Sequence, residues 1–196
     1  MFLMLALAGC ASKPSDYELV KRLLVQTSYD PSVNFKGYAT YSFMLDTVAY
    51  VSYDCYCWKL VDNGPTTYVT DITDNVKSAL DDAGYVQVDS VNKPDLAVHA
   101  SIVDGFQVSG GHDYSFSQYA FGYASYTFPF LEPSYTDQAT LVIEVSDVKT
   151  RRNGQYNSVW VAYLSDIRQT NDTFTNPTLI AGIRQAFSQS PYLTRH

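Results

Sequence analysis

Apolar residues in this chain follow two periods, and the order in which the periods occur restricts the fold. Leu96, Val98, Ala100 and Ile102 lie at every second position, and Leu141, Ile143 and Val145 alternate with Val142, Glu144 and Ser146. A period of two sends successive side chains to opposite faces of an extended strand. Ile72, Val76, Ala79, Leu80 and Ala83 recur instead at spacings of three and four, which makes one apolar stripe along a helix. Thr70 or Asp71 is placed to cap its start, and Gly84 to close it in the left-handed conformation. A second helix opens with Asn176 as cap and Pro177 at its first position; Ile180, Ile183 and Phe187 line its buried face, and Pro191 ends it. Further strands are predicted at Leu23–Tyr29, Ala39–Phe43, Tyr85–Val88, Leu96–Val108 and Val159–Ile167, with a hairpin inside Val48–Val61. Residues 109–137 show no period and read as a long loop. Strands outnumber helices and mostly succeed one another. The class is therefore α+β: a largely antiparallel sheet of about five to six strands with two helices packed on one face.

A length of 196 residues suits a single domain with a tether. Net charge is −7, and no basic cluster is larger than Arg151-Arg152. Nucleic acid is thereby disfavoured as a partner, and so is a polybasic grip on anionic lipids. Attachment to a membrane needs another device.

The N-terminus supplies one. Residues 1–9 read MFLMLALAG and are followed by Cys10. The run is too short to cross a bilayer, which takes about 20 residues, but it fits the apolar core of a signal peptide. Leu7-Ala8-Gly9-Cys10 resembles the bacterial lipobox, in which the cysteine is acylated and becomes the first mature residue. The expected organisation is a signal peptide at 1–9, lipidated Cys10 and a polar tether over 10–22, and one α+β domain over 23–196. No Lys or Arg precedes the apolar run, so the natural start is expected upstream of Met1. Ala11 and Ser12 lack the Asp of an inner-membrane retention signal and the acidic cluster of a surface-export signal. That resemblance implies an outer-membrane lipoprotein facing the periplasm.

Signatures of catalysis are missing. There is no Gly-x-Ser-x-Gly elbow. His99, His112 and His196 are scattered, and His99 lies on the strand face opposite Leu96 and Val98, as a solvent-facing or hydrogen-bonded side chain. Cys55-Tyr56-Cys57 lacks the second ligand pair of a structural zinc site, so neither metal nor cofactor is expected. With Cys10 acylated, these two thiols remain in an oxidising compartment. Their Cα atoms in a strand would lie about 6.6 Å apart, the upper end of the disulfide range. A bridge across a bend and a pair of packed thiols both stay open. Asp46-Thr47-Val48 and Asp89-Ser90-Val91 resemble the three-residue O-glycosylation signal of Bacteroidota, making Thr47 and Ser90 candidate acceptors.

Several dispersed residues carry a resemblance in their order. Tyr29-Asp30, Asn34-Phe35, Tyr38 and Thr40 to Phe43 come first. Ala79-Leu80, Gly84-Tyr85 and Pro94-Asp95-Leu96 follow. Thr140 to Val145 with Asp147, Lys149-Thr150 and Trp160, then Phe187 and Ser190-Pro191, close the series. Over roughly 28–191 the chain is similar to the bacterial lipoprotein family known as domain of unknown function 4136. Ala139 and Ala162 stand where that family often has glycine, and residues 152–157 form an insertion. The resemblance implies an envelope lipoprotein and supplies no catalytic residue.

The segment from His112 to Tyr135 is rich in Tyr and Phe interleaved with Ser, Gly and Ala. Such a composition gives rigid apolar area with adaptable hydrogen bonding, as in antibody loops. Tyr119, Phe121, Tyr123 and Tyr126 are candidate contacts for an envelope protein or a glycan; a cover for the helix-free sheet face is the competing reading. The expected function is a non-catalytic accessory or binding module of the envelope. The alternatives are a hydrolase or other enzyme whose site forms only on folding, and a glycan-binding lipoprotein using residues 112–135.

Overall fold

The alternation beginning at Leu96 builds β5 (Leu96–Asp104), the strand about which the main sheet is organised. The computed structural model describes residues 24–44, 48–52, 66–104, 106–108, 133–135, 139–152, 155–167 and 176–195. Before β5 come β1 (Leu24–Tyr29), β2 (Thr40–Phe43), β3 (Ala49–Ser52), α1 (Thr66–Asp82) and β4 (Val86–Gln87). After it come β6 (Phe106–Val108), β7 (Pro133–Tyr135), β8 (Ala139–Arg152), β9 (Gln155–Ile167) and α2 (Asn176–Ser188).

The sheet is mixed, in the order β1-β9-β8-β5-β2-β4, with β3 also on β5. The long ladders are antiparallel: β5 with β8, β8 with β9, and β9 with β1. On its other side β5 runs parallel to β2 at Leu96–Val98 and to β3 at Ser101–Asp104, so two short strands share one lane. Parallel neighbours need a long crossover, and α1 supplies it. Ala49–Ser52 thus extends the β2 lane along β5; the rest of the expected hairpin, 53–61, lies outside the described residues. Periodicity gives the faces of a strand but not the direction of its partner.

One face of the sheet carries the core. Tyr41, Leu96, Val98, Ile102, Leu141, Ile143, Val145, Trp160 and Leu164 pack against Ile72, Val76 and Leu80 of α1 and Leu179, Ile183 and Ala186 of α2. Each fully buried aliphatic side chain contributes about 1.5–3 kcal/mol. Helix α1 begins at Thr66, so Thr70 and Asp71 lie inside it and do not cap it. The extra turn has something to bury, since Val69 packs on the core one turn before Ile72. Its end is as expected: Gly84 has φ 93°, and the N–H groups of Gly84 and Tyr85 donate to Asp81 and Leu80. The buried stripe of α2 runs through Leu179, Ile183 and Ala186, with Ile180 and Phe187 on its flanks.

The second face is buried too. Ala97, His99, Ser101, Thr140, Val142, Glu144, Val161, Tyr163 and Ser165 are each at most 7% exposed. The β6–β7 ribbon, paired at Phe106↔Tyr135, contacts β8 and β9. Two boundaries therefore differ from expectation: the strand predicted over Leu96–Val108 divides after Asp104, and Pro133–Tyr135 forms a strand inside the segment read as loop. Residues 1–23, Thr47, Cys55, Cys57, Tyr119, Phe121, Tyr123 and Tyr126 lie outside the described residues.

Candidate functional site

A bulge in β8 creates the most elaborated polar site among the described residues. The β8–β9 register slips between Asp147↔Asn157 and Arg151↔Tyr156, leaving residues 148–150 unopposed. The Asp147 carboxylate closes the bulge by accepting from the backbone N–H of Lys149 (2.8 Å) and Thr150 (3.2 Å). The Val148 N–H donates to the Asp95 carbonyl at 3.1 Å. Lys149 is thereby aimed at Asp95, with Nζ 2.7 Å from Oδ1. The other oxygen of Asp95 accepts from the backbone N–H of Ala39 (2.5 Å) and Thr40 (3.2 Å). Burial pushes the Asp95 carboxyl up, but the Lys149 bond and these two N–H groups outweigh it and hold the carboxyl below its ordinary value. The Lys149 ammonium also sits 5.6 Å from the centre of the Tyr38 ring. The Tyr38 hydroxyl is pushed up by burial and by Asp147, and stays protonated.

Asp95 therefore ties together the entry to β2, the entry to β5 and the bulge. Asp95→Ala is expected to cost about 1–3 kcal/mol, chiefly because it leaves two part-buried backbone donors unpaired, while the half-exposed Lys149 ammonium turns to water. Asp95→Asn, which keeps an acceptor, is expected to cost less. Urea titration of both variants checks this. With the folded carboxyl depressed, the Asp95 contribution is present above the ordinary carboxylate value of about 3.9 and fades as pH falls through the folded value.

Beside this knot lies a cleft of about 650 Å³. Ser42 and Met44 line it from the end of β2, Ser90 and Lys93 from the turns before β5, and Val148 and Tyr156 from the β8–β9 hairpin. Lys93 has φ 55° and ψ 65°, a left-handed conformation that costs a non-glycine residue about 1 kcal/mol or more. Its side chain is exposed and makes no ion pair with a described residue. Ser90, a candidate glycosylation acceptor, is also exposed, in a short turn whose Asp89 side chain accepts from the Val91 N–H at 3.0 Å.

A second polar group occupies the sheet's other face. His99 stands directly across from Glu144 in the β5–β8 register, and Ser101 follows on the same face. These residue types are those of a hydrolytic triad, yet His99 and Glu144 are each 3% exposed and Ser101 is 0% exposed. Burial pushes the His99 imidazole down to about 4 and raises the Tyr163 hydroxyl, to which Glu144 adds. His99 is thus a buried group and not solvent-facing, because the face opposite the helices is covered as well. Sequence alone does not reveal its pairing with Glu144, which depends on strand register. Among the described residues no group of three or more His, Cys, Asp or Glu side chains is placed to hold a metal.

The residues that carry the family resemblance converge on packing. Trp160 Nε1 donates to Ser190 Oγ at 3.0 Å, and that hydroxyl donates to the Ala186 carbonyl. Tyr29 stacks on Tyr192 with ring centres 3.8 Å apart. The hydroxyls of Tyr85 and Tyr41 donate to the Leu193 carbonyl (2.8 Å) and to Asp81 (2.9 Å). A family model described as Domain of unknown function (DUF4136) matches residues 25–192, the same span that these contacts close into one core. The chain belongs to the DUF4136 family. A crystal structure of a DUF4136 protein from Bacteroides thetaiotaomicron is similar to it with a TM-score of 0.62 at 20% identity, covering 89% of this chain and 99% of that one. PelC from Paraburkholderia phytofirmans is similar with a TM-score of 0.44 at 12% identity, also over 89% of this chain and 99% of that one. No curated protein matches. In this DUF4136 chain Ala139 and Ala162 are both buried in the core.

Proposed function

We propose that this DUF4136 protein is a lipid-anchored module of the bacterial envelope that acts by binding another component and not by catalysis. Acyl chains on Cys10 hold it in the outer membrane, facing the periplasm. At about 0.8 kcal/mol per buried CH₂, two or more chains anchor without a spanning helix; no described helix is long and apolar enough to cross a membrane. The observation that carries the binding reading is how the titratable groups are used. Asp95, Asp147 and Lys149 are engaged in holding strand ends and a bulge, while His99, Glu144 and Ser101 are sealed from substrate. The aromatic segment 112–135, with Tyr119, Phe121, Tyr123 and Tyr126, is the proposed contact for an envelope protein or glycan.

Two measurements test this. Cys10→Ala is expected to lose incorporation of a fatty-acid analogue and to leave the membrane fraction. Replacing Tyr119, Phe121, Tyr123 and Tyr126 by Ser is expected to abolish crosslinked partner capture with little change in melting temperature. Recovery of the protein alone at every crosslinker length, or a large fall in melting temperature with capture intact, would overturn the contact assignment.

A further inference from the structure

We propose that the cleft between the end of β2, the turn before β5 and the β8 bulge binds a carboxylated sugar. The proposal rests on the reading of this domain as a binding module and names a ligand for one of its surfaces. Its volume of about 650 Å³ falls within the range of small-ligand sites, roughly 300–1,000 Å³.

Charge points to the class of ligand. The chain carries a net −7, yet the charged residues lining the cleft are Lys93, Lys149 and Asp95. Lys149 is neutralised by Asp95 at 2.7 Å, which leaves Lys93, among the described residues lining the cleft, as the cation with charge to spare. Lys93 closes the Ser90–Asn92 turn as its left-handed cap, and its exposed side chain stands beside the cleft. The remaining lining mixes polar and apolar surface, which suits a ligand that carries both. Ser42, Ser90 and Tyr156 bring hydroxyls, while Met44, Ala97 and Val148 bring apolar surface. An alkyl chain would desolvate the hydroxyls without replacing their hydrogen bonds. A sugar ring offers hydroxyls at its edge and C–H groups on its faces, and a carboxylate on that ring meets Lys93.

The test is calorimetric titration of the full chain in detergent micelles with trigalacturonate and with its neutral methyl ester, which keeps the same rings. Saturable binding of the acid is expected, about tenfold tighter than the ester and weakened by salt. Lys93→Glu should weaken binding by about tenfold or more at an unchanged melting temperature, since the side chain is exposed, and Lys93→Arg should retain it. Equal affinity for acid and ester, unaltered binding by Lys93→Glu, or displacement of trigalacturonate by an equal concentration of inorganic phosphate would each overturn the proposal. Partner capture through residues 112–135 is read separately, so failure of this ligand and failure of the binding-module reading are distinguishable.

Discussion

Trp160→Ala is expected to cost about 3–5 kcal/mol, much of the 5–15 kcal/mol that holds a typical domain folded. Among the described residues Trp160 is the largest side chain buried completely, on β9 between the sheet and α2, with its ring 4.9 Å from that of Phe187. Truncation removes the apolar surface and leaves a cavity that neighbours on a rigid sheet fill poorly. It also removes a donor from Ser190, whose hydroxyl accepts from Trp160 and Tyr192 and donates to the Ala186 carbonyl. Trp160→Phe separates the two effects. It keeps most of the buried ring and leaves Ser190 its other partners, so its cost should be about 1–2 kcal/mol. Urea titration at neutral pH reads both, and at about 2–4 °C per kcal/mol the alanine variant should melt roughly 10 °C lower. A loss below about 1 kcal/mol for Trp160→Ala would show that α2 closes onto the gap and that this contact does not hold the helix to the sheet.

The same contact shows how far the sequence could be read. Leu96 to Ile102 and Leu141 to Val145 announce their strands because one face of each is wholly aliphatic, and Asn176-Pro177 announces α2 because a cap followed by proline suits little else. Other features depend on which strand lies beside which. The parallel placement of β2 and β3 along β5 leaves no mark in the periodicity of Tyr41 or Val51. Nor does the register slip at Asp147, which leaves Lys149 unopposed on β8 and aimed at Asp95. The start of α1 was legible only in part, since Thr66, Thr67 and Val69 are β-branched and favour strands, and packing on the core overrides that preference. Pro94-Asp95-Leu96 was recognisable as a family motif. Its physical role, a carboxylate holding the first N–H groups of β2, appears only once two distant segments are side by side.

Acidification from pH 6.5 to pH 4.5 is expected to destabilise the domain by about 2–3 kcal/mol through His99, and His99→Gln should remove most of that loss. His99 lies on the second face of the sheet, 3% exposed, where burial pushes its imidazole down to about 4. In the unfolded chain the same group titrates near 6.5. Between these values the unfolded state binds a proton that the folded state refuses, so stability must fall as pH falls. Nearby groups on this face do not reverse the direction. Glu144 stands opposite His99, and the Tyr163 hydroxyl is held protonated by burial and by Glu144. Asp95 responds in a lower window, below about pH 4, so stopping at pH 4.5 keeps the two apart. Urea midpoints at pH 7, 5.5 and 4.5 for the native chain and for His99→Gln give the comparison directly. Equal slopes against pH in the two proteins would mean that His99 takes up its proton inside the folded sheet, with Glu144 as counter-charge, and that the second face tolerates an ion pair.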